Sequence, residues 1–274
     1  MQDCRKERID VLLFKKGLAE SRERAKQLVK AGLVYVNGQK VDKPGTTIWS
    51  DKDIELKGVV NPYISRGGLK LEKALRQFSI QAKDLVWMDI GASTGGFTHC
   101  LLQHGAKKVY SIDVGCGQLA EQLRKDPRVV AMEGTDIRNL QRNHLIELPR
   151  GAVIDVSFIS IVLILPVVKK LLDYDSHIIC LVKPQFEVGK GRVGNKGVVR
   201  DAILHQEALQ KVLECAVALN LQIRNLSFSP ITGREGNIEF LAYLYYGDKT
   251  SAEVNIPALS RTVVRQAHDF FTGR

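Results

Sequence analysis

A chain of 274 residues can hold one large domain, or a standard domain with a small companion. Hydrophobic residues at 45% and charged residues at 26% sit near the globular norm and exclude a disordered or collagen-like chain. Forty Lys and Arg against thirty Asp and Glu leave a formal charge of +10, which favours a polyanionic partner.

The chain begins with charged residues and no apolar stretch behind them, so no secretory signal is expected and the expected compartment is the cytoplasm. Residues 1–57 read as a small α+β unit. Ile9, Leu12 and Leu13 recur at helical spacing, and Gly17 stops that helix. Ser21 suits the N-cap of a second helix whose apolar face holds Ala25, Leu28 and Val29. The run from Leu33 to Val41 predicts strand, Asn37-Gly38 turn and strand, because both turn residues need positive φ. Ile48 and Ile54–Leu56 supply two further short strands. Between Arg5 and Lys30, nine Lys or Arg face four Asp or Glu, a charge that fits either a solvated face or an RNA surface.

Arg8-Ile9-Asp10, Gly17-Leu18-Ala19, Ser21-Arg22, Ala25 and the run Gly32 to Gly38 resemble the S-four RNA-binding domain. That resemblance implies that Arg8, Arg22, Arg24, Lys26 and Lys30 dock on structured RNA, through phosphate contacts that position more than they specify. Residues 58–62, with Gly58 and Pro62 and no periodicity, read as a linker.

From Tyr63 the pattern becomes alternating strand and helix. Helices are expected at 68–78, 96–104, 118–124, 159–172 and 201–219. Strands are expected at 85–90, 108–112, 129–132, 152–156, 178–182, 222–226 and 238–245. Such alternation predicts an α/β, doubly wound, mainly parallel seven-stranded sheet over residues 63–247. The segment 248–274 is expected to be helical. The longest apolar run, Phe158 to Val168, holds eleven residues with Ser160 and Pro166 inside it. A span needs about 20, so it reads as core, and no membrane partner is expected. Five cysteines without a C-x-x-C pair fit a reducing compartment and no metal site.

Asp89-Ile90-Gly91-Ala92-Ser93-Thr94-Gly95-Gly96-Phe97-Thr98 runs from an apolar strand through a Gly-rich loop into a helix. Glycine there lets the backbone approach a ligand, and the helix N-terminus favours an anionic group. Asp113 ends the next strand, 22 residues beyond Gly91, where a carboxylate can accept from a ribose diol. Asp136 follows the third strand. The spacing is not the G-x-G-x-x-G of dinucleotide sites, because position 93 is Ser and the next glycines are adjacent. It resembles motif I of S-adenosylmethionine-dependent methyltransferases of the FtsJ-like ribose type. The cofactor site so implied comprises Asp89, Gly91, Ser93, Gly95, Gly96, Phe97, Thr98, Asp113, Val114, Asp136 and Ile137.

Asp155-Val156-Ser157-Phe158 lacks the paired prolines of exocyclic-amine methyltransferases, and no Pro-Cys offers a pyrimidine nucleophile. Lys183 follows an apolar strand and precedes Pro184, so it emerges where open α/β sheets bind ligands. Lys70, Asp155, Lys183 and Glu239 together resemble the Lys-Asp-Lys-Glu tetrad of RNA ribose 2′-O-methyltransferases. With the N-terminal unit, nearly the whole chain resembles the TlyA family, whose members carry both hemolysin and rRNA methyltransferase names. The resemblance implies methyl transfer from S-adenosylmethionine to a ribose 2′-hydroxyl, of cytidine, in ribosomal RNA of ribosomal subunits. A lysine amine titrates near 10.4 in water and serves as base only if brought toward ~7–8, so Lys183 reads as base or as hydroxyl-orienting cation.

Between Pro184 and Asp201, four glycines alternate with Lys190, Arg192, Lys196 and Arg200, a composition suited to a mobile RNA clamp or a plain surface loop. Lys190, Arg192 and Arg66 join the expected RNA contacts. Two other functions fit parts of the pattern. A membrane-active hemolysin is prompted by the family's second name and the charge, and a non-catalytic RNA-binding protein by the N-terminal unit alone.

Overall fold

The computed structural model describes residues 5–19, 21–57, 61–189, 191–248 and 254–273. Lys190, expected in an RNA contact, and residues 58–60 of the expected linker lie outside them. The chain divides into two compact units, Met1–Pro62 and Tyr63–Arg274.

In the first unit, β1 (Lys6–Arg8) leads into α1 (Ile9–Lys15) and α2 (Arg22–Lys30). The strands β2 (Val34–Val36), β3 (Gln39–Val41), β4 (Thr47–Trp49) and β5 (Ile54–Leu56) follow. Ser21 caps α2 by accepting from the Arg24 amide at 3.1 Å. Strand β2 pairs with β3 through the Asn37-Gly38 turn and with β5 on its other edge. Strand β1, which no periodicity announced, pairs antiparallel with β4. Ile9, Leu12, Leu13, Ala25, Leu28, Val29 and Val34 close a separate core.

The second unit opens with α3 (Gly67–Gln77), β6 (Val86–Ile90), α4 (Gly96–Gln103), β7 (Lys108–Asp113), α5 (Glu121–Arg124) and β8 (Val129–Glu133). It continues with β9 (Gly151–Ile154), α6 (Leu165–Leu171), β10 (Ser176–Val182), α7 (Pro184–Glu187) and α8 (Ala202–Ala218). The antiparallel pair β11 (Gln222–Phe228) and β12 (Phe240–Tyr246) and the helix α9 (Ile256–Thr272) complete it. The seven strands lie in the order β11-β12-β10-β9-β6-β7-β8. All neighbours are parallel except β12, which runs against both β10 and β11. The fold is α/β and doubly wound.

Side-chain alternation explains the layers. Ile178, Cys180 and Val182 of β10 join the core beneath α6, α8 and α9, whereas Ile179 and Leu181 join the core beneath α3, α4 and α5. The expected helix over 159–172 is broken: a 3-10 turn at Ile161–Leu163 precedes α6. Pro166 lacks an amide donor and fits the first turn of α6, but in a continuous helix it would cost about 3 kcal/mol. Helix α9 is capped by Asn255, which accepts from the Ala258 amide at 3.0 Å, and it sinks Val263, Val264 and Ala267 into the larger core.

The direction of the chain from β6 goes one way to β7 and β8 and the other way to β9 and β10, so the switch lies between β6 and β9. Ligands of open α/β sheets bind outside the carboxyl ends of the strands at such a point.

Candidate functional site

Residues 91–98 leave β6 at that switch. Gly91 has φ +85°, and a Cβ there would stand 2.5 Å from the Asp155 carbonyl oxygen, so only glycine lets the two strand ends run side by side. The amides of Gly91 and Ala92 both donate to Ile112 at the end of β7. Beneath the loop, Asp89 is fully buried and accepts from the Thr98 amide at 2.8 Å and the Thr98 hydroxyl at 2.7 Å. The Thr98 hydroxyl also meets Ser111 at 2.7 Å. Burial, helped by the nearby Asp155 and Asp113 charges, pushes the Asp89 carboxyl up to about 7 against the pull of Thr98. Its Oδ1 has no hydrogen-bond partner among the described residues.

Asp113 ends β7 and is held by two amides, Ser93 at 2.7 Å and Gly115 at 2.8 Å. A carboxylate offers about four acceptor positions, so this one keeps capacity for a diol. Val114, beside it, is exposed. Phe97, Thr98 and Ile137 are buried rather than facing solvent: Thr98 holds Asp89 beneath the loop, while Phe97 and Ile137 belong to the cores on the two faces of the sheet. Asp136 forms an ion pair with Arg138 at 2.6 Å and caps the short 3-10 turn at Ile137–Asn139. Glu133, which the sequence did not single out, ends β8 and accepts from the amides of Gln118 (2.7 Å) and Leu119 (3.1 Å). Those bonds, the Leu119 amide foremost, hold its carboxyl below the usual range and tie the 115–119 loop to the sheet.

The tetrad residues converge from four elements. The pairing of Val182 with Phe240 sets Lys183, leaving β10, opposite Glu239, entering the antiparallel β12. Asp155 leaves β9 next to them, its amide donating to Ile90 at 2.9 Å. Lys70 enters from the first turns of α3. Lys70 Nζ lies 2.5 Å from Glu239 Oε2, and Lys183 Nζ lies 2.7 Å from Asp155 Oδ1 and 3.0 Å from the Ser157 hydroxyl. Lys70, Lys183 and Glu239 are buried. Burial raises the Glu239 carboxyl above its ordinary value; Lys70 opposes, Asp155 adds to the rise and Lys183 opposes it. One carboxyl thus feels all three other members. A Cβ at Gly233 would stand 2.2 Å from Glu239 Oε1, so the bare glycine leaves room for the carboxylate in its present position.

Three residues nearby escaped sequence reasoning. Ser157 accepts from Lys183. Phe158 has φ +66° and is 91% exposed, its ring 5.2 Å from that of Phe186, which in turn lies 6.0 Å from Lys183 Nζ. An aromatic left bare in an unfavourable backbone conformation is a functional signal that only coordinates reveal. Asn237 donates to the Gly197 carbonyl and accepts from the Val199 amide, both at 3.0 Å, anchoring the end of the Gly-rich loop.

The expected RNA contacts are less uniform. Arg8 grips both oxygens of the buried Asp10 at 2.9 and 3.1 Å, and Arg22 reaches the same carboxylate at 3.5 Å. Arg24 bonds Gln27 and the Asn61 carbonyl, and Lys26 pairs with Glu23. Lys30 is exposed on the last turn of α2. Arg66 is exposed at the start of α3, and Arg192 forms a two-pronged pair with Glu207 of α8.

Residues 63–246 match the model of the FtsJ-like methyltransferase family, and residues 7–49 match the S4 domain. The chain belongs to the TlyA branch of the FtsJ-like methyltransferases. A Bacillus subtilis protein described as an rRNA methyltransferase, YqxC, is 49% identical over 266 residues, 96% of this chain and 95% of its own. The 16S/23S rRNA (cytidine-2′-O)-methyltransferase TlyA of Mycobacterium tuberculosis is 41% identical over 245 residues, 88% of this chain and 90% of that one. A solved structure from Streptococcus thermophilus, described as a hemolysin, is 48% identical with a TM-score of 0.77 and covers 98% of each chain. In this FtsJ-like domain no described helix is long and apolar enough to cross a membrane.

Proposed function

We propose that this chain transfers a methyl group from S-adenosylmethionine to the 2′-hydroxyl of a cytidine ribose in ribosomal RNA. The observation that carries the reading is the pair of lysine–carboxylate contacts, Lys70–Glu239 and Lys183–Asp155, at the strand ends beside the Gly91 loop. The orphaned Asp89 oxygen, the close-approaching Gly91 backbone and the doubly anchored Asp113 suit the methyl donor, with Ser93, Gly95, Gly96 and Val114 along its path. The bound donor supplies an electrophilic methyl on a sulfonium centre.

The chain's own groups must do the rest. A ribose hydroxyl is a weak nucleophile until its proton is taken or its lone pair is aimed. Lys183 is the tetrad amine fixed by two oxygens, Asp155 and Ser157, and acts on that hydroxyl. Lys70 and Glu239 hold the opposite wall. The Phe158 ring offers a flat surface for an unpaired base, the usual mode of reading single-stranded RNA. Cations of α2 and of the loop through Arg192 supply phosphate contacts. Such a substrate implies action in the cytoplasm.

The test is incubation of the purified protein with labelled donor and ribosomal subunits, followed by alkaline hydrolysis. Ribose-methylated dinucleotides resist alkali and are the expected product. Label without resistant dinucleotides would move the acceptor to a base and sink the ribose assignment.

A further inference from the structure

The stretch from Asp155 to Ser160 leaves β9 without regular structure, yet it carries Asp155, Ser157 and the strained Phe158. Its first residue is tied to β6 through the Ile90 carbonyl. Its far end is held by a side chain from another element. Glu187, 4% exposed at the end of α7, accepts from the Ile161 amide at 2.8 Å on one oxygen and from the Ser160 hydroxyl at 2.5 Å on the other. Lys211 of α8 approaches the second oxygen at 3.4 Å and donates to the Glu187 carbonyl at 2.8 Å.

We propose that Glu187 is a positioning residue for methyl transfer, clamping the Asp155–Ser160 segment onto the turn that carries Lys183. The inference rests on the catalytic reading of the Lys183–Asp155 pair. Burying a carboxylate is costly, and a leucine would fill the same space without that cost. What the carboxylate adds is direction: donors from the 3-10 turn and from α8 converge on one group in α7. Helix α7 is one turn long and cannot hold its own orientation without such contacts. It begins immediately after Lys183, so a shift of α7 against the Ser160 turn changes the Lys183–Asp155 and Lys183–Ser157 distances directly. Both partners of the pair are thus fixed by a third acid that touches neither.

The experiment is single-turnover methyl transfer by the full-length protein on ribosomal subunits, with donor and subunit affinities measured in parallel. Glu187→Gln keeps the volume but sets an amide NH2 against one of the donors. A misplacement of about 1 Å can cost ~10²-fold in rate, and a fall of that order at saturation is expected, with both affinities within a few-fold of native. Ser160→Ala removes one arm of the clamp and should lower the same constant by less. The double variant should be no slower than Glu187→Gln, as expected for residues acting as one unit. A native rate at saturation in Glu187→Gln, or a loss confined to donor or subunit affinity, overturns the proposal. If that variant does not fold, Ser160→Ala carries the test with the same two outcomes. Lys183→Ala runs alongside: a native rate there removes the catalytic reading, and this proposal with it, whereas a dead Lys183→Ala beside a native Glu187→Gln removes this proposal alone.

Discussion

Lys183 and Glu239 differ in what surrounds them, and each difference is measurable. Lys183 meets two oxygens at 2.7 and 3.0 Å, an arrangement that aims the amine. Lys183→Ala should lower single-turnover transfer by ~10²–10⁴ while donor binding stays within a few-fold. Lys183→Arg separates its two roles, because a guanidinium keeps the charge but takes no proton at neutral pH. A dead arginine variant identifies the base; near-native rates identify an orienting cation. Glu239 is raised by burial, so it takes up its proton at higher pH than an exposed glutamate. As pH falls through that raised value, the neutral carboxyl releases Lys70 from its ion pair. The rate should therefore drop on an acid limb whose midpoint lies above that of an ordinary glutamate. Stability changes in the opposite sense, since protonation relieves a buried charge. A pH–rate profile of Glu239→Gln should lack this limb; an unchanged limb assigns it to another group.

Among the elements, α2 invites the sharpest test. Arg22, Arg24 and Lys26 are engaged with Asp10, Gln27 and Glu23 on their own unit, while Lys30 stands exposed on the last turn. If the helix lies along phosphates, each cation removed should lower the salt dependence of subunit binding by roughly 0.7–0.9 in logarithmic slope. Lys30→Gln should do so without loss of stability. Arg22→Gln also strips a partner from buried Asp10, whose carboxyl is held below its usual value first by Arg8, so it should lower the melting temperature as well. Unchanged slopes in both variants would make this a solvated face. The strands of the first unit are only three residues each, and β1 has the residues Lys6, Glu7 and Arg8. Nothing in so short and charged a run signals a strand. It exists because β4, some forty residues on, offers a free edge.

For the whole molecule, the two units have separate cores, and on the proposed function donor capture and RNA capture should be separable. A chain beginning at Tyr63 should bind donor within a few-fold of the intact protein yet fail to methylate subunits. Calorimetry and the dinucleotide assay check the two halves of that statement; lost donor affinity would make the first unit part of the donor site.

What the sequence determined by itself was local. The short apolar runs of β6, β7, β9 and β10, the glycines after Asp89 and the exit of Lys183 before Pro184 are written in neighbouring residues, because strand burial and turn geometry act over a few positions. Resemblance to a family brought Lys70 and Glu239 into the same group, but no spacing could show why they meet. That was decided by the register of β12 against β10, which sets Glu239 opposite Lys183, and by Gly233, which leaves room for the carboxylate. The roles of the acids at the end of β8 and just beyond it were likewise decided in three dimensions: Asp136 turns to Arg138, whereas Glu133 accepts from the amides of a loop fifteen residues earlier. Glu187 is one residue in an apolar-flanked segment until the Ser160 turn folds against it. Propensity reads along the chain, whereas a buried charge is placed by donors that arrive from elsewhere in the fold.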